Sequence, residues 1–595
     1  MADVLSFAGD GFSVLNTDLG SIKRELISSA SECSQRGLLQ SSKWAAELCY
    51  AIDEVTCTQE FLPTNDVTQD FLQDYDVFNL AKSYFNLREY DRAAHFAEKC
   101  KSNKGYFLYM YSRYLAAEKH HLDDRGDAIS SGNTSMTEKL ENDHLKVLRT
   151  ELQAKQKTED LDGYCLYLYG VVLKKLDLLK EALIVFMEAV HKEPSHWGAW
   201  QQLSMLITDK ETLNSLSLPN HWIRSIFLAC TYLELQLNDE ALALLQSLYD
   251  SGMSKSTYIL SQIAVAYQNL RDVDKAVESF SQLQDLDPFR LEHMDIYSNL
   301  LYVKEMRPEL AKLAHHCCDI DKYRVETCCV IGNYYSLRAQ HEKAVLYFQR
   351  ALKLNPHYLS AWTLMGHEYM EMKNTHAAIQ AYRQAIEVNR RDYRAWYGLG
   401  QTYEILKMHA YCLYYYRQAQ QLRPNDSRMF VALGECYEKL EKLQEAKKCF
   451  WKAHSIGDVE GTALIKLAKL YEILNEKDSA AAAYTEYINE TERQGMFNFD
   501  EQPQAYRYLA NYHLKNGQLD DAHTAAQKCT EFNATREEGK ALLRQIARLR
   551  SLGDGVAMQV EDNGGSITSD RHLAVNAVAD SPLSRLSPMN LTFTP

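Results

Sequence analysis

Four glycines recur at a constant interval along this sequence, and that interval constrains the fold more than any other feature. Gly332, Gly366, Gly400 and Gly434 lie 34 residues apart, and a tyrosine follows three residues after each of them. Further columns keep the same period: Tyr335, Tyr369, Tyr403, Tyr437 and Tyr471; Ala344, Ala378, Ala446 and Ala480; Ala351, Ala385, Ala419 and Ala453; and Phe348, Tyr382, Tyr416, Phe450 and Tyr484. A sustained period of this length is typical of stacked structural repeats.

The order of residues within each period matches the tetratricopeptide signature, W-x2-L-G-x2-Y followed by A-x3-F and a closing alanine and proline. In such a repeat a small residue lets two helices approach while aromatic side chains fill the space between them. Glycine and proline number only 25 and 11 among 595 residues, which leaves few residues that turn hairpins or break helices. The sequence therefore predicts an all-α fold, a tetratricopeptide-repeat superhelix (an α-solenoid of stacked helical hairpins) with a disordered C-terminal tail.

The repeat register extends upstream of the in-phase block and defines the expected organisation. Ala264 lies two periods, 68 residues, before Gly332. Residues 291–324 between them are therefore interpreted as a degenerate repeat. The expected divisions are an N-terminal helical region at 1–73, an N-terminal repeat array at 74–256, a C-terminal repeat array with a peptide groove at 257–536, a capping helix at 537–551 and the tail at 552–595.

Two stretches depart from the repeat pattern. Residues 119–160 are polar and lack aromatic side chains, so a flexible loop followed by the start of a helix is expected. Residues 552–595 are rich in Gly, Ser, Asp and Pro and are expected to be disordered. Three residues of this tail each precede a proline and are candidates for proline-directed phosphorylation: Ser581, Ser587 and Thr594. The alternative is that the tail is only a flexible segment.

Composition and charge exclude several classes of function. The formal net charge of −15 argues against a duplex-binding protein, because phosphate neutralisation needs clustered Lys and Arg. The start of the chain lacks a basic segment followed by an apolar run, and no window approaches 18 uninterrupted apolar residues, so neither a signal peptide nor a membrane span is expected. Fourteen cysteines without a CxxC pair are interpreted as buried thiols in a reducing compartment, which favours nucleus and cytoplasm.

No residue constellation indicates an enzyme, a metal site or a cofactor. His315, His316, Cys317 and Cys318 are adjacent, and neighbouring residues on a helix point about 100° apart, so they make a poor ligand set. Cys328 occupies the repeat position of Trp362 and is expected in the core. Phosphate-binding, dinucleotide, esterase and zinc-protease motifs do not occur. A non-catalytic binding protein is expected, with no cofactor and no metal.

A binding surface is expected on the first helices of the repeats, which line the inner side of a solenoid. An inner asparagine can hold an extended peptide backbone through its amide, and inner glutamates offer carboxylates to arginine. The alternative is that these carboxylates only solvate the inner surface. The inner positions are Asn333 and Ser336, then Thr363, His367 and Met370, then Arg394, Tyr397, Gln401 and Glu404, then Arg428, Glu435 and Glu438, with Glu371 beside them.

Several long strings are more specific than a repeat consensus. They include RGLLQSSKWAAEL at 36–48, EYDRAAHF at 89–96 and, above all, DKYRVETCCVIGNYYSLRAQHEKAVLYFQRALKLNP at 321–356. These strings resemble the family of the eighth, tetratricopeptide-repeat subunit of the anaphase-promoting complex or cyclosome. The resemblance covers roughly residues 20–550.

The resemblance implies a non-catalytic scaffold of a multisubunit ubiquitin ligase that marks mitotic regulators for destruction. It also implies other subunits as partners, homodimerisation through the N-terminal repeats, and a C-terminal groove for the C-box of a coactivator, an arginine-containing motif followed by an aromatic residue and Ile-Pro. An adaptor clamp for C-terminal peptides of chaperones remains the alternative, because Arg394 and Arg428 also hold inner positions. No nucleic acid or membrane partner is expected. The implied groove residues are Asn333, His367, Glu371, Tyr397, Gln401 and Glu404, with Glu435 and Glu438 as outer candidates.

Overall fold

A computed structural model of the chain describes residues 18–52, 55, 69–130, 143–158, 161–458, 461–494 and 501–560. All of the regular secondary structure within these ranges is helical, as the repeat pattern predicts. No helix in the described part of the chain is long and apolar enough to cross a membrane. The helices form two compact units, residues 1–337 and residues 338–595.

Unit 1 contains seventeen described helices, which we number in chain order. They are α1 Leu19–Arg36, α2 Leu39–Ala51, α3 Gln69–Asn86, α4 Tyr90–Ala97, α5 Asn103–Ser130, α6 Asp143–Thr158, α7 Gly163–Lys175, α8 Leu179–Lys192, α9 Trp197–Leu206, α10 Lys210–Ser215, α11 Ile223–Glu234, α12 Asn238–Asp250, α13 Thr257–Leu270, α14 Val273–Leu286, α15 Met294–Val303, α16 Arg307–Asp321 and α17 Val325–Leu337.

Unit 2 contains the remaining twelve described helices. They are α18 His341–Leu354, α19 Leu359–Glu371, α20 Thr375–Val388, α21 Tyr393–Ile405, α22 His409–Leu422, α23 Ser427–Lys439, α24 Leu443–Ile456, α25 Thr462–Ile473, α26 Lys477–Gln494, α27 Gln502–Lys515, α28 Leu519–Glu531 and α29 Arg536–Val560. Consecutive helices pair into hairpins, so α19, α21, α23, α25 and α27 are the first helices of the unit 2 repeats.

The glycine and aromatic columns meet across each hairpin. A methyl group added at Gly366 would lie 2.5 Å from the ring of Tyr382, and one added at Gly434 would lie 2.5 Å from the ring of Phe450. Unit 1 repeats this arrangement between Gly170 and Phe186. The absence of a side chain on the first helix therefore makes room for the aromatic ring of the second, as the sequence predicts.

The turn between the two helices of a repeat carries a second periodic feature that sequence reasoning missed. From residue 271 to residue 475, one non-glycine residue in each such turn has a left-handed backbone, with φ between 54° and 65°. At Arg271, Glu305, Lys373, Lys407, Glu441 and Asn475, the amide of that residue and the next amide bond back to the last turn of the first helix. This feature also marks the repeat at 291–324, which is a regular hairpin of α15 and α16. The residues spaced 34 apart are Arg271, Glu305, Ala339, Lys373, Lys407, Glu441 and Asn475.

The first two described helices pack against first helices of the unit 1 repeats. Helix α1 contacts α5, and α2 contacts both α9 and α13. The ring of Trp44 stacks on Trp197 with centroids 4.5 Å apart, and Tyr258 meets Trp44 edge-on at 6.0 Å. The predicted helical region at 1–73 thus supplies part of the unit 1 core.

The division between units differs from the expected division between repeat arrays. Sequence reasoning separated the arrays at residues 256 and 257, whereas the compact units divide after Leu337. The reason is that Ile259 and Ile263 of α13 belong to the same buried cluster as Trp44 and Trp200.

The structure corrects the expected loop at 119–160. Helix α5 continues to Ser130, and α6 occupies Asp143–Thr158. Leu145, Leu148 and Leu152 of α6 are buried on one face, and their spacing is the apolar signal that the polar composition masked. Residues 131–142 lie outside the described residues.

The capping helix is longer than predicted at its C-terminal end. Residues 537–551 were expected, and α29 spans Arg536–Val560, which includes the first nine residues of the expected tail. Its Leu542 and Ile546 pack on Ala522 and Ala526 of α28. Residues 561–595, with Ser581, Ser587 and Thr594, lie outside the described residues.

Candidate peptide-binding surface

Seven of the eight predicted groove residues lie on three first helices of unit 2. Because they are spaced three, four or seven residues apart within each helix, members of one helix share a face. We call this surface the first-helix face. Its members are His367 and Glu371 on α19, Tyr397, Gln401 and Glu404 on α21, and Glu435 and Glu438 on α23.

His367 is held as a neutral ring on this face. Tyr382 Oη lies 2.8 Å from His367 Nδ1. The ring keeps solvent access on one side while protein encloses it on the others, and this desolvation, with a smaller effect of the Arg394 charge, lowers the pKa of His367 to about 4. If the Tyr382 hydroxyl donates to Nδ1, the proton of the neutral ring sits on Nε2. Such a ring offers a hydrogen-bond donor to a peptide carbonyl.

Two of the four acidic residues of the face have cationic partners on the following repeat. Glu404 accepts a hydrogen bond from Tyr416 Oη at 2.8 Å and forms an ion pair with Lys439. That hydrogen bond from Lys439 to Glu404 raises the pKa of Lys439. Glu435 forms an ion pair with Lys466 of α25 at 2.9 Å.

The sequence did not reveal these lysine partners, because a single lysine does not stand out in a repeat protein with many charged residues. Each lies roughly one repeat after its glutamate, Lys439 being 35 residues beyond Glu404 and Lys466 being 31 beyond Glu435. A one-repeat offset between opposite charges is therefore the pattern that could have identified them. The ion pairs hold the two carboxylates in place on the first-helix face.

Tyr397 supplies an aromatic surface between the charged groups. Its ring lies 5.3 Å from that of Tyr416 and remains half-buried. Burial raises the pKa of Tyr397, and the nearby charge of Arg428 opposes the shift. Arg428 is itself paired with Asp426 at 3.1 Å. The face thus combines an aromatic ring with charges of both signs.

Asn333 is placed differently from the other predicted residues. It lies on α17 in unit 1 and is only 3% exposed. Its amide nitrogen donates to Ser298 Oγ at 2.8 Å and to Asn299 Oδ1 at 2.6 Å. Both amide hydrogens are thereby engaged within unit 1, which differs from the expected role of holding a peptide backbone.

Three cysteines and one histidine of α16 and α17 are buried or hydrogen-bonded within the protein. Cys317 of α16 is buried, and this burial raises the pKa of its thiol to about 12. His316 Nε2 lies 2.7 Å from the carbonyl oxygen of Pro288, and Cys328 and Cys329 are fully buried. Among the described residues, no group of three or more His, Cys, Asp or Glu side chains is arranged to hold a metal ion.

Comparison with known proteins identifies the family. The model of the family "Anaphase promoting complex subunit 8 / Cdc23" matches residues 21–264, and tetratricopeptide-repeat models match segments between residues 258 and 456. The chain is similar to "Cell division cycle protein 23 homolog" of Mus musculus, with 58% identity over 97% of this chain and 95% of the relative.

Two further relatives align over shorter segments. The human protein of the same name is 58% identical over 54% of this chain and 52% of its own length. "Anaphase-promoting complex subunit 8" of Arabidopsis thaliana is 43% identical over 42% of each chain. In these two alignments the chain spans about half the length of the relative or less.

The family assignment rests on the near-complete alignment with the mouse relative, and the repeat models agree with the helical hairpins of the structure. It also agrees with the expectation of a non-catalytic repeat subunit. This chain belongs to the family of anaphase-promoting complex subunit 8, also called Cdc23.

Proposed function

We propose that this protein is a scaffold subunit of the anaphase-promoting complex, and that its first-helix face binds the arginine-bearing C-box of a coactivator. The observation that carries the peptide-binding part is the row of Glu404 and Glu435, each held by a lysine beside the donor at His367. In this role the protein positions other chains for ubiquitination of mitotic regulators and performs no bond chemistry itself.

The lysine pairs explain how the face would select arginine. A lysine ammonium is a point charge, whereas a guanidinium presents a planar fork that bonds both oxygens of a carboxylate. An incoming arginine can therefore displace Lys439 from Glu404 and gain a second hydrogen bond. Tyr397 lies where the alkyl part of that side chain, or the aromatic residue of the motif, could pack.

A labelled C-box peptide and the full chain test this assignment directly. We expect Glu404→Gln combined with Glu435→Gln to weaken binding by at least about tenfold, because a tenfold change needs only about 1.4 kcal/mol and loss of a desolvated charge pair costs more. Replacing the peptide arginine with lysine should weaken binding to the unmodified protein for the geometric reason above.

Glu342→Gln combined with Glu387→Gln is the matched control, because both are exposed glutamates on second helices, α18 and α20. It removes two negative charges from the same unit without touching the first-helix face. Equal affinity for the Glu404 and Glu435 variant and the unmodified protein would contradict the assignment, as would an equal loss in the control.

Homodimerisation through the N-terminal repeats is a second part of the proposal. Its support is a set of large apolar side chains exposed on α2, on α3 and just after α3, which an aqueous surface does not favour. Sedimentation of the full chain should show a dimer that Tyr50→Ser combined with Leu72→Ser shifts toward monomer, and an unchanged dimer would remove this part. The exposed residues are Leu39, Tyr50, Leu72, Tyr75, Leu80 and Leu87, with Tyr50 86% exposed.

A chaperone adaptor remains the alternative function, because Arg394 and Arg428 also lie on α21 and α23. A clamp for a C-terminal carboxylate would lose affinity when its peptide is amidated, whereas an internal C-box would not. We also propose nucleus and cytoplasm as the location, and phosphorylation at Ser581, Ser587 and Thr594. Fractionation and mass spectrometry of mitotic cells test these two statements.

A further inference from the structure

A cleft of about 470 Å³ lies in unit 2 among the two first helices α25 and α27 and the second helix α26. It is separate from the helices that carry the acidic part of the first-helix face. Its lining includes Lys469 of α25, Lys477 of α26, and Arg507 and Lys515 of α27. None of these residues belongs to the proposed C-box surface.

The charge of this cleft is opposite to that of the whole chain. Four cationic side chains line it together with one carboxylate, Glu472, in a protein of net charge −15. Lys469 pairs with Glu501 at 3.3 Å and Arg507 with Glu538 at 3.4 Å. Lys477 and Lys515 form no ion pair within the described ranges, and both are exposed. The cleft therefore has cationic charge that the protein does not neutralise internally.

Three tyrosines form the apolar part of the wall. The rings of Tyr484 and Tyr508 lie 5.0 Å apart, and Tyr508 stacks with Tyr512 at 6.5 Å. Tyr484 Oη donates to Glu472, and Tyr512 Oη donates to Asp478 Oδ1 at 2.6 Å. The rings are thus oriented by their neighbours, and their remaining accessible edges form contact surface for a ligand.

We propose that this cleft binds an extended acidic peptide segment of a partner protein. Aspartate or glutamate side chains of the segment meet Lys477 and Lys515, and an intervening apolar side chain rests against Tyr508. Gln504 and Asn511, both exposed on α27, offer amide groups to the peptide backbone.

Single-stranded nucleic acid is the other ligand that combines cations with aromatic rings, and the geometry favours peptide. Nucleic-acid sites stack bases on exposed aromatic faces. Here Tyr508 is half-buried and packs against two neighbouring rings, so less of its surface is open to a base than on an exposed stacking platform. The surrounding net negative charge also opposes a long polyanion more than a short acidic segment.

This second site goes beyond the C-box proposal, because it lies on different helices and selects the opposite charge. The two proposals can therefore fail separately. A cleft variant should retain C-box affinity, and the Glu404 and Glu435 variant should retain affinity for an acidic peptide.

Fluorescence anisotropy with the full chain tests the cleft. The probe is a short labelled peptide of alternating glutamate and leucine, and the same peptide with glutamine in place of glutamate is its neutral control. We expect Lys477→Gln combined with Lys515→Gln to weaken binding of the acidic peptide by about tenfold at low salt, with a smaller difference as salt rises.

Lys353→Gln combined with Lys442→Gln is the matched control, because it removes the same charge at exposed positions outside the cleft. Unchanged binding in the cleft variant overturns the proposal, and so does an equal loss in the control. Tighter binding of a single-stranded oligonucleotide than of the acidic peptide, lost in the cleft variant, would also overturn it in favour of a nucleic-acid site.

Discussion

Several first helices of the unit 1 repeats are covered by α1 and α2, whereas first helices of the unit 2 repeats keep charged and polar side chains at the surface in the described part of the chain. In unit 1, α1 and α2 lie against α5, α9 and α13, and tryptophan rings stack at the contact. In unit 2, α19 presents His367 and Glu371, which are both exposed, and α21 and α23 present the half-buried Gln401 and Glu438. The same hairpin repeat therefore contributes to a closed core in one unit and to a polar surface in the other.

Polar contacts also hold α1 against the repeats of unit 1. The buried guanidinium of Arg36 at the end of α1 pairs with Glu32 and with Asp162 at 3.3 Å, and lies 4.0 Å above the ring of Tyr164. Glu25 accepts hydrogen bonds from Trp222 Nε1 at 2.8 Å and faces His221 at 3.0 Å. These contacts join residues of unit 1 that are distant in sequence.

The largest expected effect is the removal of the stacked tryptophan from unit 1. Trp44→Ala should destabilise this unit by about 3–5 kcal/mol, because a buried aromatic side chain leaves a cavity when truncated. Hydrogen exchange should show faster opening in α1, α2 and α9. Trp396→Ala in unit 2 is the comparison, since its indole is only half-buried, and an equal loss there would contradict the difference between units.

Acid should loosen unit 1 more than unit 2. Burial, with a smaller effect of Arg36, lowers the pKa of His196 to about 3, and this ring contacts Cys33 of α1. The unfolded chain takes up a proton near pH 6.5 while the folded ring stays neutral, so stability falls as pH drops from about 6.5 toward 3, by up to about 1.4 kcal/mol per pH unit.

The variant His196→Gln should reduce this acid sensitivity in unfolding experiments monitored by circular dichroism. His376→Gln, which replaces an exposed histidine of α20, is the control for the loss of a histidine outside unit 1. The lowered pKa of His367 adds a smaller contribution in unit 2, because that ring retains solvent contact. Identical pH profiles for His196→Gln and the unmodified protein would contradict this account.

A third prediction concerns the packing that both units share. Gly366→Ala in unit 2 and Gly170→Ala in unit 1 should each cost about 1–3 kcal/mol, because the new methyl group overlaps the ring of Tyr382 or Phe186. Thermal unfolding measures the loss. Gln380→Ala on the exposed side of α20 is the control and should change stability by less than about 0.5 kcal/mol. A large effect in one unit alone would show that the hairpins are not equivalent.

The smallest expected effect distinguishes a residue that stabilises unit 1 from a residue that binds peptide. Asn333→Ala should lower the stability of unit 1 by about 1–2 kcal/mol, because it leaves Ser298 and Asn299 without their amide donor, while C-box affinity stays unchanged. Gln401→Ala should weaken peptide binding without a change in unfolding. If the Asn333 variant lost C-box affinity while the stability of unit 1 stayed unchanged, Asn333 would belong to the binding surface after all.

The helical hairpins were predictable because their determinants are local. Gly366 and Tyr382 lie 16 residues apart in one repeat, so a column of each type predicts the packed pair. The position of the inner glutamates on first helices followed from the same register. Their lysine partners did not, because the pairing of Glu404 with Lys439 depends on how one repeat stacks on the next.

The position of Asn333 within its repeat is not enough to predict which groups it contacts. Its register matches an inner position, yet Ser298 and Asn299 of the preceding degenerate repeat approach its amide. A consensus treats each repeat alike and contains no information about such an individual neighbour. In the segment 143–158 the polar composition hid a buried helix, because three regularly spaced leucines are enough to bury one of its faces.

By itself the sequence determined the hairpin repeat, its period and its family, because each hairpin is specified by residues within one period. Only the tertiary structure decided which first helices are covered, since that depends on contacts such as Trp44 with Trp197, which are 153 residues apart. Hairpin formation depends on short-range packing that a pattern can encode. Whether a first helix is covered or exposed depends on packing between residues that are far apart in the sequence. A local sequence pattern contains no information about that packing.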